Sequence, residues 1–426
     1  MKHRTLAICL FSILCTLALQ SCGLFKLQKD LEEITAELSI FTGVVQHNET
    51  PGQAIAVLAK RHDDSGKYAL SDYRFPDNNG LFSFQAQNGD YQLMAFIDQN
   101  ADFIYQVGEP ATVLAKAPLA NRLGDNSKAW KIEELTIDNS SRIKNLKLAI
   151  DVSSNGLTAI ERTATTMGVG INFDSPHFNA EAIAWGMWQP AQWFTKVGYG
   201  FYLTEPWGVE PKPLLVLIHG INSSPREFEP MLKQLDTSKY RVALFHYPSG
   251  LSIDDNAYIL SQIINEMLIR APSQDYVLLA HSMGGLLAKR LIHMQASAAQ
   301  AQPLKHFISI STPWLGHKSA ESGVERSPVM VPVWEDLSPS SRFIRLLSKY
   351  EIPQHIDYTM LFSHSGNSLL QSEQNDGSVS LESMLDPRMQ DRAKSFVGVD
   401  ADHVGIVSHE RTIKFVQQAL DALSQY

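Results

Sequence analysis

The feature that most constrains the fold is a small-residue turn between an apolar run and a helical pattern. Residues 280–285 read Ala-His-Ser-Met-Gly-Gly; they follow the apolar residues 276–279 and precede a helical pattern over residues 286–293. A serine in such a strand–turn–helix needs small neighbours two residues away on each side, because larger ones would collide with the strand and the helix. The pattern predicts a sharp turn that exposes Ser282 at a helix N-terminus, where peptide dipoles favour negative charge. An ordinary glycine-rich helix start is the alternative.

A second apolar run predicts a buried parallel strand that ends in a functional loop. Residues 214–218 read Leu-Leu-Val-Leu-Ile and are followed by His219 and a glycine. Two backbone amides aimed at one point can stabilise an oxyanion. The candidate donors are the amide of Met283, directly after the serine, and the amide of Ile221 in the loop after this strand. We interpret His219 as a structural residue of that loop.

Two later segments supply a candidate acid and a candidate base. Asp376 lies in the turn sequence Asn-Asp-Gly-Ser-Val, and His403 follows directly after another aspartate. A histidine can take the proton of a nucleophilic serine, and a carboxylate can hold that histidine in the required tautomer. Other residues remain open here: the alternative acids are Asp336, Asp386 and Asp402, and the alternative base is His409.

From about residue 205 to the C-terminus the chain resembles the α/β-hydrolase superfamily, in particular its lipase and esterase branch. The resemblance rests on the segments quoted above and on two more, Phe-His-Tyr-Pro-Ser-Gly at 245–250 and Ser-Thr-Pro-Trp-Leu-Gly at 311–316. It implies a mostly parallel sheet flanked by helices and a catalytic triad in the chain order Ser282, Asp376, His403. It also implies cleavage of carboxylic esters, with lipid acyl esters favoured, through an acyl-enzyme and without a cofactor.

The motifs leave the substrate open. Phospholipase, thioesterase and acyltransferase chemistry would use the same residues, and a binding lipoprotein that keeps the fold without turnover is an alternative from another class. Because a scaffold needs none of the three side chains, we expect an enzyme. The formal net charge of −9 argues against nucleic acid as a partner.

The N-terminus predicts export and a lipid anchor. Residues 1–4 are basic, and residues 6–19 form an apolar stretch too short to span a bilayer comfortably. Residues 19–23 read Leu-Gln-Ser-Cys-Gly and resemble the bacterial lipobox. The resemblance implies removal of a signal peptide, residues 1–21, and acylation of Cys22. The expected location is the bacterial cell envelope, with the outer membrane favoured and the membrane as a partner through Cys22.

The pattern changes twice between this anchor and the hydrolase-like half. Residues 22–38 have near-helical spacing and predict a lipid-anchored stalk or helix. Residues 39–116 contain short β-like runs separated by Asn-Gly turns, and they resemble a carboxypeptidase regulatory-like or transthyretin-like β-sandwich. We interpret residues 117–204 as a linker or inter-domain segment with a possible flap, and residues 205–426 as the catalytic domain.

Two stretches are candidates to cover an acyl pocket. Residues 185–202 are rich in aromatic side chains and predict packing between the two domains, with a hydrophobic flap as the alternative. Residues 314–350 include an apolar run at 329–334 and predict either a lid or packing against the main body.

A possible metal loop lies in the β-rich part. The residues at positions one, three, five and twelve of a calcium-loop pattern are Asp98, Asn100, Asp102 and Glu109. Position six is Phe103, where such a loop needs glycine, and no flanking helices are evident. A hairpin turn with solvated carboxylates is therefore favoured over a calcium site.

Overall fold

The structure is a computed structural model of the chain. It describes residues 27–30, 38–47, 50–61, 68–76, 80–87, 90–100, 102, 104–114, 121–122, 132–141, 143, 165–205, 212–270, 275–296, 303–326, 331–366 and 374–423. The predicted signal peptide and the predicted lipidation site at Cys22 lie outside these residues. Among the described residues, no helix has both the length and the apolar character that crossing a bilayer requires.

The N-terminal part consists of two four-stranded sheets. One has β1 at its centre, between β4 and β7 or β8, and the other has the order β3-β2-β5-β6. Their strands are β1 (Leu38–His47), β2 (Gln53–Arg61), β3 (Tyr68–Arg74), β4 (Leu81–Gln87), β5 (Tyr91–Asp98), β6 (Ala111–Val113), β7 (Asn121–Arg122) and β8 (Ile132–Ile137).

The two sheets share one apolar core. Alternate residues of a strand point to the same face, so Phe82 and Phe84 of β4 are both buried, and they meet Leu58 and Leu93 of the opposite sheet. Ile137 at the end of β8 belongs to the same cluster. The β-rich part therefore extends past the predicted boundary at residue 116, because β8 pairs with β1 in parallel across a long sequence separation.

The C-terminal part is an eight-stranded sheet in the order β9-β10-β12-β11-β13-β14-β15-β16. Neighbouring strands are parallel except for β10 and β12, which pair antiparallel. The strands are β9 (Thr165–Gly170), β10 (Tyr199–Leu203), β11 (Leu214–Ile218), β12 (Arg241–His246), β13 (Tyr276–His281), β14 (Leu304–Ile310), β15 (Asp357–Ser363) and β16 (Ser395–Val399).

Helices cover both faces of this sheet. The α-helices span Ala180–Trp188, Pro190–Lys196, Glu229–Leu232, Ile253–Arg270, Met283–Ala296, Lys318–Arg326, Pro332–Leu337, Arg342–Leu347, Leu381–Met384, Pro387–Arg392 and Glu410–Leu423. Short 3-10 helices span Pro176–Phe178, Pro225–Phe228 and Gly405–Ser408. Because β11 is covered on both faces, Val216 packs in one core and Leu215 in the other. The predicted fold class, an α/β-hydrolase sheet preceded by an all-β region, is confirmed.

The aromatic segment at 185–202 differs from its prediction. Trp193 is fully buried and packs edge-on against Tyr199 and His246, inside the core of the eight-stranded sheet. Strands β9 and β10 extend that sheet, so it begins at Thr165 instead of the predicted residue 205. Interpreting residues 117–204 as a linker was wrong for residues 165–203. The aromatic side chains of this segment lie on two helices and on β10, and they pack into the core of the sheet itself.

The stretch 314–350 packs against the main body. Its buried apolar residues include Val333 and Leu347, and Trp334 packs edge-on against Trp188. Of the two predicted alternatives, lid or packed segment, the structure therefore shows the packed one.

The two halves touch through the helix Ile253–Arg270. The Tyr73 hydroxyl of β3 donates a hydrogen bond to the Glu266 carboxylate at 2.8 Å, and the Asn265 side chain donates to the Phe75 carbonyl at 3.1 Å. Ile269 packs against the apolar cluster of the β3-β2-β5-β6 sheet.

Residues 27–30 form a helical turn that contacts the catalytic half. Leu27 is fully buried and belongs to the same cluster as Trp193 and the strand β13. The prediction for residues 22–38 is a lipid-anchored stalk or helix; the four described residues of this segment are helical, and the buried leucine fixes them to the core.

Candidate active site

The turn after β13 has the strained geometry that its sequence predicts. Ser282 has a φ of 53°, in the left-handed region, and its amide donates to the Ile310 carbonyl at 2.8 Å. A Cβ on Gly284 would lie 2.5 Å from the Ile218 carbonyl oxygen, so only glycine fits there. The close packing of the helix Met283–Ala296 against β11 thus explains the small residues around the serine.

Three side chains distant in sequence form one hydrogen-bonded series beside this turn. His403 Nε2 lies 2.9 Å from Ser282 Oγ, and His403 Nδ1 lies 2.6 Å from Asp376 Oδ2. The three groups approach one another at the carboxyl ends of β13, β15 and β16. The structure therefore brings together the residues predicted as nucleophile, acid and base.

Asp376 is fully buried and held from several sides. Its Oδ1 accepts hydrogen bonds from the amides of Ser378 and Val379 at 3.1 and 2.8 Å, and its Oδ2 accepts from Ser363 Oγ at 2.5 Å. Burial raises the pKa of this carboxyl, but hydrogen bonds from His403, Ser363 and Val379 outweigh it, and the pKa lies below its ordinary value. Asp376 is accordingly ionised at neutral pH.

Sequence reasoning missed the two serines behind this acid. Ser311 Oγ lies 2.6 Å from Ser363 Oγ, so the two hydroxyls extend the series beyond Asp376. Ser311 has a φ of 48°, which turns the chain sharply after β14. The only sequence signal is that both serines end apolar strands.

The alternative acids and the alternative base have other partners. The Asp336 carboxylate accepts from the Ile253 amide, Asp386 is paired with Arg388, and Asp402 accepts from the Gly405 amide. His409 Nδ1 accepts from the Arg411 amide at 3.1 Å at the start of the terminal helix. Each of them stabilises a local turn or helix start.

The candidate oxyanion donors flank Ser282. Met283 is the first residue of its helix, so its amide has no hydrogen-bond acceptor within the helix. On the other side, a Cβ on Gly220 would lie 3.1 Å from the Ser282 Cβ, which places the loop carrying Ile221 against the nucleophile. The next residue, Asn222, has a φ of 52° and donates its amide to Ser249 Oγ at 2.9 Å. This loop is held in a defined conformation.

His219 lies behind that loop. It is fully buried, its ring stacks on Tyr247, and Nδ1 contacts the Gly220 carbonyl at 2.8 Å. Burial lowers its pKa to about 4, so the ring is neutral at neutral pH. This environment fits the structural role that we predicted for His219.

The calcium interpretation gains no support. Both Glu109 carboxylate oxygens accept backbone amides, from Gln99 and Gln106, at 2.9 Å each. Asp102 accepts from the Ile104 amide at 2.8 Å and from the Asn100 side chain at 2.9 Å. Within the described residues, no three His, Cys, Asp or Glu side chains are arranged to hold a metal ion.

Comparison with known proteins agrees with this geometry. Residues 209–341, less than half of the chain, match the model of a family described as "Putative serine esterase (DUF676)". That segment contains Ser282 and both candidate oxyanion amides, whereas Asp376 and His403 lie beyond it. None of the curated proteins matches the chain.

Several solved structures are similar to the catalytic half. The lipase BlEst2 of Bacillus licheniformis in its mature form is 18% identical with a TM-score of 0.42, covering 52% of this chain and 97% of its own. The product of the gene lin2722 of Listeria innocua is 16% identical with a TM-score of 0.38, covering 49% and 92%. Phospholipase PlaB of Legionella pneumophila is 16% identical with a TM-score of 0.33, covering 41% and 45%. At these TM-scores the structural similarities carry no conclusion about the reaction that this protein catalyses.

The sheet order, the strained serine turn and the family match define the class of this protein. It is a hydrolase of the α/β-hydrolase fold, and the serine esterase match makes it a carboxylic ester hydrolase.

Proposed function

We propose that the protein is a lipid-anchored serine esterase that cleaves acyl esters through Ser282, His403 and Asp376. The observation that carries the proposal is the hydrogen-bonded series from Ser282 Oγ through the His403 ring to the buried Asp376 carboxylate. The serine hydroxyl can give up a proton, the histidine ring can accept it, and the carboxylate can accept a hydrogen bond from the histidine.

The mechanism follows from the direction of these contacts. Asp376 accepts a hydrogen bond from the Nδ1–H of His403, which leaves the Nε2 lone pair facing the Ser282 hydroxyl. His403 takes the serine proton while Oγ forms a bond to the ester carbonyl carbon. The resulting oxyanion is stabilised by the amides of Met283 and Ile221. The imidazolium then gives its proton to the leaving alcohol, and water repeats the sequence to release the acid from the acyl-enzyme.

A fluorophosphonate probe tests the nucleophile directly. The full-length protein should be labelled on Ser282, and the Ser282→Ala protein should not be labelled. Ser340→Ala provides a control, because Ser340 lies on the surface in contact with Glu321. Label that persists on the Ser282→Ala protein would contradict the assignment.

A substrate panel tests the acyl specificity. p-Nitrophenyl esters of increasing chain length should be compared with phospholipids, a thioester and an acyl acceptor alcohol. The proposal expects turnover of carboxylic esters, with rates that rise from short to medium acyl chains. Exclusive cleavage of phospholipids or thioesters would identify the protein as a phospholipase or thioesterase on the same fold.

The anchor is proposed from the sequence Leu-Gln-Ser-Cys at residues 19–22. Cys22→Ser should abolish incorporation of an alkyne fatty acid and release the protein from the bacterial outer membrane fraction. Equal labelling of the Cys22→Ser protein would contradict lipidation at this residue.

A further inference from the structure

Glu227 lies directly behind the loop that carries the Ile221 amide. Its side chain is 13% exposed and belongs to the 3-10 helix Pro225–Phe228. One carboxylate oxygen accepts the Gly220 amide at 3.2 Å, and the other accepts the Ser223 hydroxyl at 2.5 Å. These two contacts hold the loop on both sides of Ile221.

The same carboxylate faces a second histidine at the nucleophile turn. His281 directly precedes Ser282, and its Nδ1 lies 3.3 Å from Glu227 Oε1 at an ion-pair distance. Its Nε2 lies 2.9 Å from the backbone carbonyl oxygen of His403. His281 is 5% exposed, so it meets these partners away from water.

The surroundings of His281 favour its charged form. The His403 carbonyl can only accept, so Nε2 carries a proton. Nδ1 has no aligned hydrogen bond, but the Glu227 carboxylate 3.3 Å away favours positive charge on the ring. Burial lowers the pKa of His281, but Glu227, the His403 carbonyl and Asp376 outweigh burial, and the pKa is raised. Burial raises the pKa of Glu227, but His281 and the Ser223 hydroxyl outweigh burial, and the pKa is lowered.

We infer that Glu227 and His281 form an ionic clamp that positions the oxyanion loop and the His403 loop around Ser282. Both are positioning residues, since their contacts are to the loop at Gly220 and Ser223 and to the backbone carbonyl of His403. One end of the clamp holds the Gly220 amide next to the Ile221 donor, and the other holds the backbone of the catalytic base. The role rests on the proposed esterase mechanism and adds two residues to it.

A clamp of this kind acts on the transition state. Oxyanion donors contribute only when the carbonyl oxygen becomes charged, so a displaced loop lowers kcat and leaves KM nearly unchanged. Loss of one well-placed donor costs roughly 10²–10³-fold in turnover. Displacement of the Ile221 amide by a fraction of an ångström should lower turnover by part of this factor.

The test compares Glu227→Gln with Glu229→Gln, both assayed with p-nitrophenyl acetate. Glutamine keeps the size of the side chain but removes the negative charge. We expect kcat to fall about 10- to 100-fold in Glu227→Gln with KM changed less than about threefold. Glu229 lies two residues along and pairs with Lys233 at the surface, so Glu229→Gln should keep kcat within about twofold.

A double variant separates a clamp from two independent effects. If Glu227 and His281 act as a unit, Glu227→Gln combined with His281→Asn should be no slower than the worse single variant. Multiplied losses, or a Glu227→Gln kcat within about threefold of wild type, would overturn the clamp. A rise in KM with kcat unchanged would also overturn the clamp.

Two further measurements keep the outcome decisive. If Glu227→Gln does not fold, Glu227→Asp replaces it; the clamp predicts a partial loss of kcat, and an unchanged kcat overturns it. Failure of the esterase mechanism itself is distinguishable, because the wild-type protein would then lack both turnover and fluorophosphonate label.

Discussion

Glu109 in the N-terminal all-β region is held differently from Asp376 and Glu227 in the catalytic half. In the all-β region, Glu109 accepts amides from residues at most ten positions away in its own loop. In the catalytic half, Asp376 meets His403, and Glu227 meets His281, across long sequence separations. The first arrangement holds a single turn, whereas the second fixes the relative positions of several strand ends.

Backbone strain follows the same division. The non-glycine residues with positive φ among the described part of the chain are Asn222, Ser282 and Ser311. All three follow carboxyl ends of strands in the eight-stranded sheet. The comparison indicates that, among the described residues, the strained non-glycine backbone and the long-range carboxylate contacts lie around the candidate active site.

The most severe test removes the reacting groups. Ser282→Ala and His403→Ala should each lower turnover on the order of 10⁶-fold while the far-UV and near-UV circular dichroism stay native. His409→Ala is the matched control, because the ring of that histidine accepts the Arg411 amide at the start of the terminal helix. A folded Ser282→Ala protein within tenfold of wild-type activity would show that the reacting groups are not those assigned to the catalytic half.

The second test separates the halves physically. A truncated chain that begins at residue 143 keeps β9 whole and should hydrolyse p-nitrophenyl acetate with kcat/KM within about tenfold of the full chain. Its melting temperature should drop, because the contacts of Leu27 and Tyr73 with the catalytic half are lost. A soluble, folded product with more than about 100-fold lower kcat/KM, roughly 2.7 kcal/mol, would place the β region in the active-site architecture.

The third test uses acid. His306 in β14 is buried with Nε2 at 2.9 Å from Thr359 Oγ1, and burial lowers its pKa to about 4. The unfolded chain binds this proton near pH 6.5, so stability is complete above that pH and is lost as the pH falls toward about 4. Between about pH 7 and pH 5 the loss should be on the order of 2 kcal/mol.

Urea unfolding followed by tryptophan fluorescence measures this loss in the catalytic half, since six of the seven tryptophans lie at residue 185 or beyond. His219, whose pKa is also lowered to about 4, contributes a slope of its own, so His306→Gln should reduce the loss between about pH 7 and pH 5 by about 2 kcal/mol without abolishing it. A slope equal to that of the wild type would show that His306 does not contribute.

The smallest expected effect concerns strain at the nucleophile. Because Ser282 has a φ of 53°, Ser282→Gly should be more stable than Ser282→Ala by about 1 kcal/mol. Ser309, buried in β14, is the matched control, and there alanine should be the more stable of the two. Equal stabilities of the two Ser282 variants would mean that the turn relaxes once the hydroxyl is lost.

Local chemistry made part of this molecule predictable from its sequence. The turn at residues 280–285 could be identified because the need for small residues is set by immediate neighbours. Chain order alone did not choose the triad, because Asp336, Asp386 and His409 also fit the order serine, acid, histidine. The resemblance to the hydrolase segments favoured Ser282, Asp376 and His403. The structure brings them within hydrogen-bond distance of one another.

Non-local contacts set the limit of prediction. Glu227 and His281 are 54 positions apart, and no periodicity in either segment indicates that they meet. The same holds for the pairing of β8 with β1, and for β9 and β10, which extend the catalytic sheet where a linker was expected. Cys22 and its lipid stay predictions, since no described residue reports on them.

Leu27 sets a limit on how far the catalytic half can stand from a membrane. Five residues separate it from Cys22, and an extended chain advances at most about 3.6 Å per residue, so the tether cannot exceed about 18 Å. An acyl group on Cys22 would therefore hold the enzyme close to the bilayer surface and restrict its movement into the surrounding solution. Under that proposal, esters at the surface of the same membrane would lie within reach of the enzyme.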